Sequence, residues 1–111
     1  MTKRIPESAW AAELHRFTSR NAGRSTKLEL DTLDYGAISQ ELGFPLRGIA
    51  YDARDQRVLI TLGSQGASDR HLTHTVQNAQ AIFVLIDARG RDEALAISHN
   101  NSQTLLRFLD L

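Results

Sequence analysis

The chain has 111 residues, of which 41% are hydrophobic and 23% charged, as in an ordinary globular protein of one domain. Thirteen basic residues balance thirteen acidic ones, which argues against a protein that coats nucleic acid, because such proteins carry a clear basic excess. The chain has no cysteine, which excludes disulfides, thiolate metal sites and cysteine nucleophiles. The longest apolar run, 81–86, is far shorter than the ~20 residues that a membrane-spanning helix needs. We therefore expect one cytoplasmic domain over residues 1–111, with no membrane partner.

The first predicted element is a helix over residues 6–21. Trp10, Leu14 and Phe17 have the i, i+4, i+7 spacing that places side chains on one helical face. Gly23 can adopt the positive φ that ends a helix. The pattern predicts that Trp10 is buried against the rest of the domain, with Leu14 and Phe17 beside it.

After Gly23 the hydrophobic period changes to two, which predicts an antiparallel sheet over residues 25–109. Residues 37–45 have no clear element, because Gly43 and Pro45 argue against a long regular one. The apolar run 81–87 indicates a central strand that is covered on both faces. The predicted strands are 26–31, 46–51, 57–62, 81–87, 93–99 and 103–109.

The last predicted strands form a hairpin. Asn100 and Asn101 suit a two-residue type I′ turn, because asparagine tolerates the left-handed region. Residues 103–109 also suit a short helix, and we favour the strand. The expected fold is α+β, with one N-terminal helix packed on a strongly bent antiparallel meander sheet, or small barrel, of five to six strands.

Several motifs in this order are familiar: Trp10 on the leading helix, Leu-Asp-Tyr-Gly at 33–36, Leu-Arg-Gly-Ile-Ala-Tyr-Asp at 46–52, and the pair His71 and His74. Over nearly its whole length the chain resembles a family of small, mostly bacterial proteins of unknown function. Thr75 departs from the family pattern, which has a proline after the second histidine. The resemblance supports the fold and implies no mechanism. The order of a helix before a bent sheet also resembles the Sm-like RNA-binding architecture, at the level of the fold alone.

His71 and His74 are the best candidates for metal ligands. On a helical turn that Ser68 or Asp69 can begin, their i, i+3 spacing puts both imidazoles on one side. A catalytic metal usually takes three protein ligands, and Asp69 or His99 would supply the third only if the fold brings it close. Two histidines at this spacing are common by chance. We therefore expect no metal and no cofactor.

Asp52 and Asp55 flank a predicted turn and resemble paired carboxylates for acid–base catalysis. Aspartate is also favoured in turns, because its carboxylate accepts hydrogen bonds from nearby backbone, and we favour that role. The sequence contains no glycine-rich phosphate motif and no nucleophile elbow. We therefore expect that the protein is not an enzyme and has no hydrolytic activity.

The N-terminal third is basic, because residues 1–30 contain six basic and three acidic residues. We favour a non-catalytic protein-interaction or scaffold domain, whose partner is another protein or a second copy in a homo-oligomer. The alternative is a small nucleic-acid-binding module that uses the basic N-terminal third, and retention on heparin that falls steeply with salt would indicate it. The candidate interaction surface consists of Arg16, Arg20, Arg24, Lys27 and Tyr51.

Overall fold

The computed structural model describes residues 1–32, 36–63 and 72–109, with the backbone alone for Thr32 and residues 36–42. These residues form one α-helix and an antiparallel sheet. No helix among them has the length and apolar character needed to cross a membrane. The elements in chain order are β1 (Thr2–Ile5), a 3₁₀ turn (Glu7–Ala9), α1 (Trp10–Asn21), β2 (Ser25–Thr32), β3 (Gly36–Asp52), β4 (Arg57–Leu62), β5 (Leu72–Val76), β6 (Ala81–Ile86), β7 (Asp92–His99) and β8 (Ser102–Phe108).

The helix α1 is docked through the face that its spacing predicts. Trp10 is 2% exposed, and Leu14 and Phe17 are fully buried. The Nε1 of Trp10 donates a hydrogen bond of 3.0 Å to the backbone oxygen of Ile5, which fixes the indole between the helix and the end of β1. The ring of Phe17 stacks on that of Phe108 at 5.8 Å, so the helix also contacts the last strand.

In the described residues the sheet has eight strands in the order β1-β6-β7-β8-β2-β3-β4-β5, and every neighbouring pair is antiparallel. The prediction of an antiparallel sheet is confirmed, and the prediction of five to six strands is wrong. The barrel alternative is also wrong, because the sheet is not closed. Two meanders, β2 to β5 and β6 to β8, join where β8 lies beside β2, so the topology is not a single meander.

The two strands that were not predicted, β1 and β5, lie at the edges of the sheet. Only Ile5 of β1 is buried, and the strand is held by its backbone pairing with β6. The helical turn predicted up to His74 is wrong, because residues 72–76 pair with β4 as a strand. The β-branched Thr73, Thr75 and Val76 favour that extended conformation. His71, the other histidine of that predicted turn, lies outside the described residues.

The strand β3 includes residues 37–45, for which the sequence predicts no element. Its first half pairs with β2 and its second half with β4, and both ladders shift register in between. Gly43 has φ +88°, which provides the change of direction that a side chain would hinder. Pro45 has no N–H to donate, and its carbonyl accepts a hydrogen bond of 2.9 Å from the Gly63 amide. Glycine and proline therefore bend this strand without ending it.

The hairpin of β7 and β8 confirms two predictions. Residues 102–108 form a strand, and Asn100 and Asn101 have φ of 46° and 61°, as the predicted turn requires. Leu95 and Ile97 are fully buried, as their alternation predicts.

Strand β6 shows where the sheet faces differ. Ile82 and Val84 are buried in the core, on the face that we call the inner face. Phe83 and Leu85 point to the opposite, outer face and are only half-buried. The prediction that this strand is covered on both faces is therefore wrong. The core lies between α1 and the inner face, whose buried residues include Leu28, Ile82, Val84, Leu95, Ile97 and Leu106.

Candidate functional site

Most of the basic residues of the predicted interaction surface have an acidic partner within the chain. Arg16 forms an ion pair with Glu13, one turn earlier in the helix. Lys27 lies 3.6 Å from the carboxylate of Glu29, measured from Nζ to Oε1. Such exposed pairs contribute little stability, but they reduce the local positive potential that would attract a phosphate backbone.

Arg20 belongs to a network centred on Asp92, at the start of β7. Its Nε and Nη2 donate to the two carboxylate oxygens of Asp92 at 2.6 and 3.3 Å. The Asn21 side-chain amide donates to the same carboxylate at 2.7 Å, in a buried position. Arg24 donates 2.8 Å hydrogen bonds to the Asn21 side-chain oxygen and to the Asp92 backbone oxygen. The guanidinium of Arg24 also lies 3.9 Å from the ring centroid of Phe108. This network joins the end of α1 to β7 and β8.

Two shallow clefts, of about 300 and 200 Å³, lie beside this network. Arg24, Arg91 and Asp92 line both of them. Asp87 lies at the larger cleft, where its carboxylate accepts the backbone N–H groups of Arg89 and Arg91. The hydrogen bond from the Arg91 backbone is the main cause that lowers the pKa of Asp87. The clefts therefore present charges of both signs.

The candidate surface does not form one continuous patch. Tyr51 lies against Trp10, in an edge-to-face contact of 5.1 Å between ring centroids. Ten residues of helix separate Trp10 from Arg20, a distance of about 15 Å along the axis. Lys27 lies on the outer face of the sheet, because its neighbour Leu28 is buried in the core. Arg16 and Arg20 thus lie on the C-terminal half of α1 and Arg24 just after its end. Lys27 and Tyr51 lie on other parts of the surface.

His74 and His99 interact electrostatically in the fold, although the two are far apart in the sequence. Both side chains are half-buried, and His99 Nε2 lies 2.7 Å from Thr104 Oγ1. Burial lowers the pKa of both histidines, and the charge of His74 lowers the pKa of His99 further. Within the described residues no three side chains of metal-binding type come together. Asp69 and His71, the other candidate ligands, lie outside those residues.

Asp52 and Asp55 have partners that stabilise the β3–β4 turn. Asp52 accepts the backbone N–H of Arg54 at 3.1 Å, and its other oxygen lies 3.1 Å from Arg57 Nε. Asp55 lies 3.7 Å from a second guanidinium nitrogen of Arg57. These contacts are those expected of turn residues.

The outer face carries an apolar surface that we call the outer strip, formed by Phe83, Leu85, Ala96 and Leu105. The side chains of Phe83, Leu85 and Leu105 are half-buried, and Ala96 lies at the floor between them, 3% exposed. Together with Thr2, Gln103 and Arg107 the strip lines a groove of about 370 Å³. At one end, the guanidinium of Arg4 lies 5.7 Å from the centroid of the Phe83 ring.

The model of a family of unknown function, DUF5335, matches residues 1–110 of the chain. The chain belongs to this family. The resemblance predicted from the sequence motifs is thereby confirmed, and the bacterial origin and the individual motifs stay predictions. Neither the curated proteins nor the solved structures contain a match to this DUF5335 chain.

Sequence reasoning missed the outer strip of this DUF5335 protein. The signal was present in β6, whose apolar residues occupy both alternating positions, where a strand with one solvated face would alternate with polar residues.

Asp92 was missed for another reason. Its partners Arg20 and Asn21 are some 70 positions away, so no local pattern connects them.

Proposed function

We propose that this protein is a non-catalytic protein-interaction domain that binds its partner through the outer strip. The observation that carries the proposal is the half-buried apolar cluster of Phe83, Leu85 and Leu105, which lines a groove on the sheet face opposite the core. A contiguous apolar patch bordered by polar residues is typical of a protein-binding surface. Aromatic residues and arginine are enriched at such surfaces, and here Phe83 lies beside Arg4 and Leu105 beside Arg107.

The described titratable side chains support a role in binding more than one in catalysis. Asp52, Asp87 and Asp92 accept hydrogen bonds that hold turns or join elements. A general base needs reach to a substrate proton, and these carboxylates are instead engaged with their own chain. The cytoplasmic location expected from the sequence also stays a prediction.

Nucleic acid is the weaker candidate for the partner, because Arg16, Arg20 and Lys27 are each paired with a carboxylate. A nucleic-acid surface needs lysines and arginines that reach phosphates and release counterions. We expect the protein to pass through a heparin column at about 100 mM salt, and strong retention lost steeply with salt would favour the alternative.

A photo-crosslinking amino acid at position 105, introduced in cells that produce the chain, tests the proposed surface. We expect a discrete covalent adduct that mass spectrometry resolves as a second copy or as another protein. The same amino acid at position 15 is the control, because His15 is exposed on the helix. In the Phe83→Thr variant, whose β-branched side chain suits a strand, the adduct should be lost. Equal adducts at both positions, or no adduct at position 105, would overturn the proposal.

A further inference from the structure

We propose that the outer strip binds a second copy of this chain, in a twofold face-to-face dimer whose axis runs along β7. This inference rests on the proposed function and names the partner. Its basis is the register of the sheet, which arranges charge and apolar surface in a self-complementary order.

One row of outer-face residues crosses five neighbouring strands. Read from β1 to β2, it consists of Arg4, Phe83, Ala96, Leu105 and Glu29. A cation stands at one end, a carboxylate at the other, and apolar residues lie between them. With strands about 4.8 Å apart, the row is about 19 Å long.

A twofold axis along β7 pairs the two ends of this row. It places Ala96 opposite its copy, Phe83 opposite Leu105, and Arg4 opposite Glu29 of the other molecule. Packed sheets lie about 10 Å apart, a gap that an arginine and a glutamate can bridge together. Both ends of the row are then paired at once, because the interface is isologous.

The adjacent row is compatible with the same axis. It consists of Thr2, Leu85, Ala94, Arg107 and Lys27. The axis places Thr2 opposite Lys27, Leu85 opposite Arg107 and Ala94 opposite its copy, with no like charges opposed. The stem of Arg107 can cover Leu85, since long basic side chains bury their methylene groups on apolar surface.

The other in-plane axis, perpendicular to the strands, is disfavoured by the same register. It would place Arg4 opposite Arg4 and Glu29 opposite Glu29. Like charges held opposite each other suppress a docking arrangement. Glu29 also contacts Lys27 and Arg107 of its own chain, so Arg4 of the second molecule would join an existing charge network instead of meeting a free carboxylate.

The surface is small for a stable interface. Two rows about 19 Å long cover less than the roughly 800 Å² per partner of a standard interface. We therefore expect a weak, transient dimer that is populated toward the upper end of a range of about 5–500 μM, not an obligate one.

Sedimentation equilibrium of the purified chain between about 5 and 500 μM tests the dimer, with charge-reversal variants to test its pairing. We expect Arg4→Glu and Glu29→Lys each to weaken self-association about tenfold or more, since each opposes like charges twice. An equimolar mixture of the two variants should restore association, because each contact then joins opposite charges. Circular dichroism of each variant shows whether it is folded, and Thr2→Cys below tests the geometry without altering either charge.

The chain has no cysteine, so Thr2→Cys provides a single position for a nitroxide label. The nitroxide-bearing variant, at natural isotope abundance, is mixed with ¹⁵N-enriched wild-type protein. Only contacts between molecules can then broaden the amide signals that are observed. The axis along β7 predicts the strongest broadening around Lys27 in β2, whereas the perpendicular axis predicts it at β1 and Ala81.

The results separate this inference from the proposed function. Association with rescue by the mixed variants and broadening in β2 supports it. A chain that stays monomeric at about 500 μM, or broadening at β1, overturns it. A crosslinked adduct with a different protein at position 105 would overturn the dimer while supporting the outer strip as a binding surface. Absence of any adduct would overturn both.

Discussion

Replacing Trp10 with alanine tests whether docking of the helix stabilises the fold. The side chain is 2% exposed, so its truncation empties a closed site between α1 and the sheet. The variant loses the edge-to-face contact with Tyr51 and the hydrogen bond to the Ile5 carbonyl. We expect the free energy of unfolding to fall by about 3–5 kcal/mol, the usual cost of removing a large buried aromatic side chain.

The magnitude follows from the contacts of the ring. A tryptophan buries about 150–250 Å², which at about 25 cal/mol per Å² corresponds to an upper bound of about 4–6 kcal/mol. The hydrogen bond adds about 1 kcal/mol, and relaxation around the cavity recovers part of the total. Trp10→Phe keeps an aromatic ring and loses the N–H, so its cost should be smaller. His15→Ala, on the exposed side of the helix, should change stability by less than about 0.5 kcal/mol.

Urea unfolding followed by far-UV circular dichroism measures these differences. Fluorescence is unsuitable, because Trp10 is the only tryptophan in the chain. At about 4 °C per kcal/mol for a domain of this size, the expected fall in Tm is about 10–20 °C. A Trp10→Ala variant as stable as His15→Ala would refute the reasoning and mean that the helix does not contribute its buried face to the core.

Three further predictions concern charge and the backbone. Burial lowers the pKa of His74 and His99, so the folded chain binds fewer protons than the unfolded one. The stability that this difference contributes is complete above the unfolded pKa of about 6.5. It is lost as the pH falls through the lowered pKa values of the folded chain. The urea concentration at the unfolding midpoint should therefore decrease when the pH is lowered from about 7.5 to about 5, and it should decrease less in His74→Gln. Asp92→Ala should cost about 1–3 kcal/mol in thermal unfolding, because the buried Asn21 amide loses an acceptor; a change within error would contradict the network. Asn101→Ala should lower stability by about 1 kcal/mol and Asn101→Gly should not, because the residue has φ 61°.

The parts of the fold that depend on local periodicity were predictable from the sequence. The helix face of Trp10, Leu14 and Phe17 and the alternation of Leu95 and Ile97 are regular enough to show which side chains are buried. The turn at Asn100 and Asn101 was predictable for a related reason, since its residue type determines its conformation.

The missed elements depend on contacts that are distant in the sequence. β1 has one buried residue and is held by pairing with β6, some 80 positions away, so its own pattern carries little signal. β3 contains Gly43 and Pro45, which usually end a strand, yet here they bend it between two partners. At residues 72–76 the pairing with β4 outweighed the helical spacing of the histidines. For the candidate surface, the basic residues and the neighbouring Glu13 and Glu29 were visible in the sequence, but Asp92, the partner of Arg20, became apparent only in the fold.

The contrast between β2 and β6 is the strongest reason to regard the outer strip as functional. On the outer face β2 presents Lys27 and Glu29, the polar alternation expected where a sheet meets water. Strand β6 lies three strands from β2 in the same sheet, and on the same face it presents Phe83 and Leu85. The inner face supplies the core, and neither Phe83 nor Leu85 belongs to that cluster. Exposed apolar surface also favours aggregation, which makes it a cost unless a partner covers it. This contrast supports the proposal that the outer strip binds a partner.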